Sequence, residues 1–111
     1  MSTLEILTEA IEKRKPISFE YNKEGKIKGQ RFGHPYAIFI FTAKNTRIQS
    51  TKVHVVQTGG VSDSGAYGDF RMFNIEELSN VQCLSAEECF EPTHENYNPE
   101  WDGYINVIAK V

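Results

Sequence analysis

Apolar residues recur at helical spacing only at the start of the chain. Four of them fall on one face of a helix: Leu4, Leu7, Ala10 and Ile11. Ser2 and Glu5 have the spacing of a capping box, in which a hydroxyl and a carboxylate satisfy the first backbone amides. Pro16 cannot continue the pattern. The sequence therefore predicts one short amphipathic helix over residues 3–14.

After Pro16 the pattern changes to a period of two or to short apolar runs, which is typical of strands. The first strand begins at Ile17, where apolar and polar residues alternate up to Tyr21. Further strands are predicted over residues 26–32, 36–41, 47–57, 70–74 and 81–84, with a helical turn at 75–78. Gly33-His34-Pro35 is expected to break the second strand from the third. A ten-residue loop is expected from Gly59 to Gly68.

The end of the chain is different in character. Residues 85–102 are acidic and irregular, whereas 104–111 alternate well enough to form a closing strand. At 111 residues the chain is long enough for one core, so we interpret 1–111 as a single domain with a β core over 17–84. The fold class is mainly β (α+β), with a short N-terminal helix followed by a strongly bent antiparallel sheet or small barrel.

Charge is divided unevenly along the chain. Residues 1–71 carry eleven basic and seven acidic side chains, and residues 72–111 carry one basic and eight acidic, giving +4 and −7. The basic part could face phosphates, or the two parts could attract each other within the fold or across an oligomer contact. No apolar run is long enough to cross a bilayer and no leader pattern is visible, so a cytoplasmic location without membrane contact is expected.

Catalytic and metal-binding patterns are not evident. The three histidines, His34, His54 and His94, have no metal-ligand spacing, and we expect His34 and His94 to be exposed. Cys83 and Cys89 are too few for a disulfide framework and are interpreted as buried or half-buried thiols. We therefore expect no catalytic residues, no metal and no cofactor.

Several short motifs occur in a familiar order. They are Ile17-Ser18-Phe19-Glu20-Tyr21, Arg31 with Pro35, the apolar run Val53 to Val56, and Phe70-Arg71-Met72-Phe73. Together they resemble the WYL-like domains of bacterial regulators and phage-defence proteins. Small stand-alone relatives offer further matches in Gln57, Gly59-Gly60, Ser62, Ser64, Gly65 and Tyr97-Asn98-Pro99. The resemblance covers roughly residues 4 to 110, although the Trp-Tyr-Leu tripeptide is absent and Val53-His54-Val55 stands in its place.

This resemblance implies an Sm-like small β-barrel and a non-enzymatic sensing function, with a nucleotide or short single-stranded nucleic acid as ligand. Arg31 and Arg71 match the arginines of the family's groove, and with His54 they would form an anion pocket if the three converge. The implied ligand set also includes Gln57, Ser62 and Ser64. Alternatively, each arginine pairs with a surface acid, and the chain is a small homo-oligomeric interaction module.

Two further features leave alternatives open. The glycine and serine loop over residues 59–65 could cradle an anion with its backbone amides, or simply connect two strands. Most aromatic residues on the strands are expected in the core rather than as base-stacking platforms. Tyr97 and Trp101, in the polar tail, are expected to make a surface contact or to clamp the tail onto the barrel.

Overall fold

The computed structural model describes residues 2–63, 65 and 67–111. Within them, one helix and six strands occur in this order: α1 Thr3–Lys13, β1 Ile17–Tyr21, β2 Gln30–Thr42, β3 Gln49–Gly60, β4 Phe70–Asn74, β5 Leu78–Cys83 and β6 Asn106–Lys110. A single turn of 3₁₀ helix, Ile75–Glu77, separates β4 from β5. The mainly β class with a short N-terminal helix is thus confirmed. No helix of the described residues is long and apolar enough to cross a membrane.

Helix α1 is capped at both ends by its own sequence. The hydroxyl of Ser2 accepts from the Glu5 amide, and the Glu5 carboxylate accepts from the Ser2 amide, both at 3.1 Å. The helix ends at Arg14, which adopts the left-handed conformation with φ 54°. Its buried face, which includes Leu7 and Ile11, packs into the core. Local capping and amphipathicity therefore account for this element.

The sheet is antiparallel, with the order β4-β3-β2-β1-β5. Strand β2 is long enough to have two partners on the side away from β3. Its beginning pairs with β1 through residues 30–33, and its later part pairs with β6 through residues 37–40. The closing strand predicted over 104–111 thus joins the sheet as β6, but at the middle strand.

The predicted break at Gly33-His34-Pro35 is wrong. Strand β2 passes through these residues without interruption, and residues 26–29 lie outside it. The pairing with β3 shifts register on both sides of the tripeptide, between Phe32 and Gly33 and between Pro35 and Ala37. Bulges of this kind let a strand accommodate glycine and proline while the ladder continues.

The sheet is strongly curled. Phe73 of β4 contacts Phe19 and Tyr21 of β1, with ring centroids 5.3 and 4.7 Å apart, although two strands separate β4 from β1 in the sheet order. The short turn Ile75–Glu77 also holds one edge strand, β4, close to the other, β5. No strand pairing joins β4 to β5 in the residues described, so the sheet is open and the closed Sm-like barrel is not confirmed.

Two apolar clusters lie on opposite faces of the sheet. The inner cluster combines the buried face of α1 with inward-facing residues of five strands, including Phe19, Ile38 and Val55. The outer cluster is aromatic and is centred on Tyr36 and Phe90. The irregular segment after β5 supplies Phe90, so this segment lies across the outer face. The two faces carry the two candidate sites.

Candidate functional site

Arg31 is held in a fixed position on the inner face. It is 2% exposed, and its Nη2 donates to the Asp63 carboxylate at 2.9 Å and to the Ile27 carbonyl at 3.2 Å. Its Nη1 lies 3.4 Å from Oε1 of Gln57. The buried charge is tolerated because Asp63 pairs with it and both Nη groups donate hydrogen bonds.

Gln57 supports the loop that carries Asp63. It is fully buried, and its Nε2 donates to the carbonyl groups of Gly59, at 3.2 Å, and Val61, at 2.7 Å. Its oxygen accepts from Arg31, so both ends of the amide are occupied. The resemblance assigned Gln57 to the ligand set; in the structure its amide holds Arg31 and the loop, and a direct contact with a ligand stays a prediction.

Arg71 lies beside Arg31. It pairs with Val55 across β3 and β4, which places its side chain on the inner face, and its Nη2 lies 3.4 Å from the hydroxyl of Ser62. Both arginines line a cavity of about 150 Å³, hereafter the anion pocket: Tyr21, Lys26, Arg31, Asp63, Arg71, Met72 and Phe73. Ser64, which the resemblance also assigned to the ligand set, lies outside the described residues.

The anion pocket carries a net positive charge. Lys26, Arg31 and Arg71 are opposed only by Asp63 among its lining residues. The hydrogen bond from Arg31, followed by that from the Ile27 amide, lowers the pKa of Asp63, so this carboxylate stays ionised near neutral pH. Nε of Arg31 is buried and has no hydrogen-bond partner in the described part of the chain. With three cationic side chains and one carboxylate, the lining of the pocket has a net formal charge of +2.

His54 does not join the arginines. It pairs with Met72, one position along from the Val55–Arg71 pair, so strand alternation directs its side chain to the outer face. There its Nδ1 lies 2.7 Å from the Tyr104 hydroxyl. The expected convergence of His54 with Arg31 and Arg71 is not found, because adjacent strand positions face opposite ways.

His54 belongs instead to a second cavity of about 200 Å³, hereafter the aromatic pocket, lined by His54, Phe70, Asn96, Tyr97, Asn98, Trp101 and Tyr104. Burial lowers the pKa of His54 and raises the pKa of Tyr104 to about 12. Both side chains are therefore neutral near pH 7.

Tyr97 and Trp101 do fix the tail to the sheet. The rings of Tyr97 and Trp101 lie 4.8 Å from Tyr36 and 5.9 Å from Phe39, respectively, and both partners are on β2. The Tyr97 hydroxyl also donates to the carbonyl of Val111, just after β6, at 3.0 Å. The same two rings line the aromatic pocket. Sequence reasoning did not find this pocket, and the only signal for it was the concentration of Tyr97, Trp101 and Tyr104 in an otherwise polar segment.

The remaining predicted positions depart in part from expectation. His34 and His94 are half-buried rather than exposed, because His34 stacks on Phe90 at 4.6 Å and His94 contacts the ring of Phe70 at 4.6 Å. Cys89 is exposed, whereas Cys83 is half-buried as expected. Burial raises the pKa of Cys83. Within the described residues, no group of three or more metal-ligating side chains comes together.

Comparisons of this chain with protein-family models, with curated proteins and with solved structures find no match. The relationship to the WYL-like domains stays a prediction based on the sequence motifs.

Proposed function

We propose that this chain is a non-enzymatic binding module of the WYL-like kind, which recognises the phosphate of a nucleotide or of a short single-stranded nucleic acid in the anion pocket. The observation that carries the proposal is the surplus of positive charge around a small cavity on the inner face. An Sm-like small β-barrel as the fold belongs to the same proposal. The strong curl of the sheet and the single turn between its edge strands support it.

The two arginines would have different roles. Arg31 is oriented in advance by Asp63, Gln57 and the Ile27 carbonyl, so binding would not require it to be ordered. Arg71 is half-buried, and its planar guanidinium can donate two parallel hydrogen bonds to phosphate. Pockets for drug-sized ligands have roughly 300–1,000 Å³, so a cavity of about 150 Å³ accepts one anionic group while the base and sugar stay outside.

A thermal-shift screen tests this proposal with nucleotides, cyclic dinucleotides and short single-stranded oligonucleotides. A ligand at a hundred times its dissociation constant adds about 2.7 kcal/mol to the free energy of unfolding. We expect Arg71→Ala to abolish the shift. The matched control is Lys44→Ala, which also removes one positive charge. Lys44 lies in the turn between β2 and β3, whereas Arg31 lies at the opposite end of these two strands. No shift with any ligand, or an equal shift in Arg71→Ala, contradicts the proposal.

A second candidate function is a small homo-oligomeric interaction module, and strand β6 favours it. Strand β6 pairs with β2 on one side only in the described residues. It also exposes apolar side chains, with Val107 39% and Ile108 42% exposed, and Ile105, just before the strand, is 80% exposed. An unpaired edge of this type can add a strand from a second copy. The two salt bridges found among the described residues both lie within residues 1–71, so neither joins the basic and acidic parts of the chain.

Light scattering at high protein concentration tests the second candidate. We expect a dimer that Ile108→Lys converts to a monomer, because a charge on the edge opposes pairing. Ile48→Lys is the matched control, since Ile48 is also exposed but precedes β3. A native chain that is monomeric at every concentration argues against this function.

A further inference from the structure

The aromatic pocket has walls made almost entirely of rings. Five of its seven lining residues are aromatic, counting His54, and the two others are asparagines. The rings meet at different angles, since His54 and Trp101 are tilted by only 32° whereas other pairs are steep. Trp101 and Tyr104 lie 5.1 Å apart at 88°, and His54 and Tyr104 lie 5.5 Å apart at 68°. The rings therefore enclose a space from several directions instead of forming a flat slot.

The lining of this pocket carries no acidic side chain and, unlike that of the anion pocket, no surplus of positive charge. The lining residues carry no Lys or Arg. The tail segment adds Glu95, Glu100 and Asp102, each adjacent in the chain to a lining residue and each exposed. Aromatic faces are themselves the negative parts of the ring quadrupole. Lys110 of the chain itself makes a cation–π contact here, since its Nζ lies 6.0 Å from the centre of the Tyr104 ring.

We infer that the aromatic pocket binds a quaternary ammonium group, such as a trimethylammonium head group. Rings arranged around a cation gain electrostatic attraction without requiring hydrogen bonds, and a methylated ammonium is less costly to remove from water than a primary amine. The volume of about 200 Å³ suits one head group. This site is on the outer face and does not depend on the anion pocket.

A nucleobase fits these observations less well. A base held between two rings needs two nearly parallel faces, whereas the Trp101 and Tyr104 rings are perpendicular and those of His54 and Trp101 are tilted by 32°. The phosphate of a nucleotide would also lie near the acidic residues of the tail. The geometry and the charge therefore both favour a compact cation over a planar anionic ligand.

The experiment uses the intrinsic fluorescence of Trp101, which is the only tryptophan in the chain and lines the pocket. The full chain is titrated with choline, with its neutral isostere, in which carbon replaces nitrogen, and with adenosine. We expect a saturable change in Trp101 fluorescence with choline, with a dissociation constant on the order of 1 mM. The isostere should bind at least roughly tenfold more weakly. Free trimethyllysine and lysine, as further probes, distinguish a side-chain source of the ammonium from a small-molecule source.

Matched variants locate the response. Phe70→Leu removes one ring of the pocket, and we expect it to weaken choline binding several-fold. Phe32→Leu makes the same change in another cleft and is expected to leave binding unaltered. Tyr97→Leu replaces the first variant if thermal unfolding shows that Phe70→Leu does not fold. Arg71→Ala should bind choline normally, which separates this site from the anion pocket. Equal binding of choline and its isostere, tighter binding of adenosine, or no saturable change with any probe overturns the inference.

Discussion

Phe73→Leu tests whether the sheet is curled so that β4 packs against β1. Leucine keeps most of the apolar volume at this 4%-exposed position but removes two edge-to-face ring contacts, with Phe19 and Tyr21. Each such contact contributes roughly 0.5–1.5 kcal/mol beyond the area it buries. We therefore expect the free energy of unfolding to fall by about 1–3 kcal/mol. Phe41→Leu, at an exposed position, should change it by less than about 0.5 kcal/mol.

Urea unfolding of a double-mutant cycle isolates the contact itself. The cycle compares Phe73→Leu, Phe19→Leu and the double variant, and the coupling energy should be about 0.5–1.5 kcal/mol. The slope of the free energy against urea should be unchanged, since the fold is retained. A coupling energy below about 0.3 kcal/mol would show that the two rings act independently and would refute the contact between β4 and β1.

Three other changes probe the loop, the helix and the titrating groups. Gly60→Ala should lower the free energy of unfolding in urea by about 2 kcal/mol or more, because the φ of Gly60 is +83° and a Cβ would lie 2.6 Å from Cα of Arg31. The control is Gly25→Ala, which has a similar φ but open space and should lower it less. Ser2→Ala removes the helix cap and should cost about 1 kcal/mol by the same assay. Burial lowers the pKa of His54 below 6.5, so as the pH falls this histidine takes up a proton in the unfolded chain before it does so in the folded chain. The urea midpoint should therefore fall as the pH drops through 6.5. That decline should be smaller in His54→Phe.

The sequence was most informative where structure is local. The capping box, the apolar stripe and Pro16 predicted α1 to within one residue, because each depends on neighbours within one or two turns. The break at Gly33-His34-Pro35 was wrong for the opposite reason. Whether glycine and proline end a strand or form a bulge depends on the partner strand, and here β3 continues the ladder past both. Barrel closure also depends on contacts between distant strands, which alternation alone does not specify.

The site was predicted in the same uneven way. Arg31 and Arg71 were expected together, and they line one pocket. His54 was grouped with them by motif order, although strand alternation separates adjacent positions on β3 and β4. The partners of Gln57 and Asp63 were not predictable, since they arise only when the loop after β3 folds back onto Arg31. The aromatic pocket likewise requires the tail to cross the outer face, and nothing in the periodicity of the tail specifies that path.

Strand β4 connects the two pockets in a way that makes its register important. Phe70 lines the aromatic pocket, and its neighbour Arg71 lines the anion pocket on the other face. A slip of one residue would exchange these faces and remove both side chains from their sites. Phe73 opposes such a slip, because it shares the inner face with Arg71 and is held between the rings of β1. The packing of one core phenylalanine therefore positions both candidate sites.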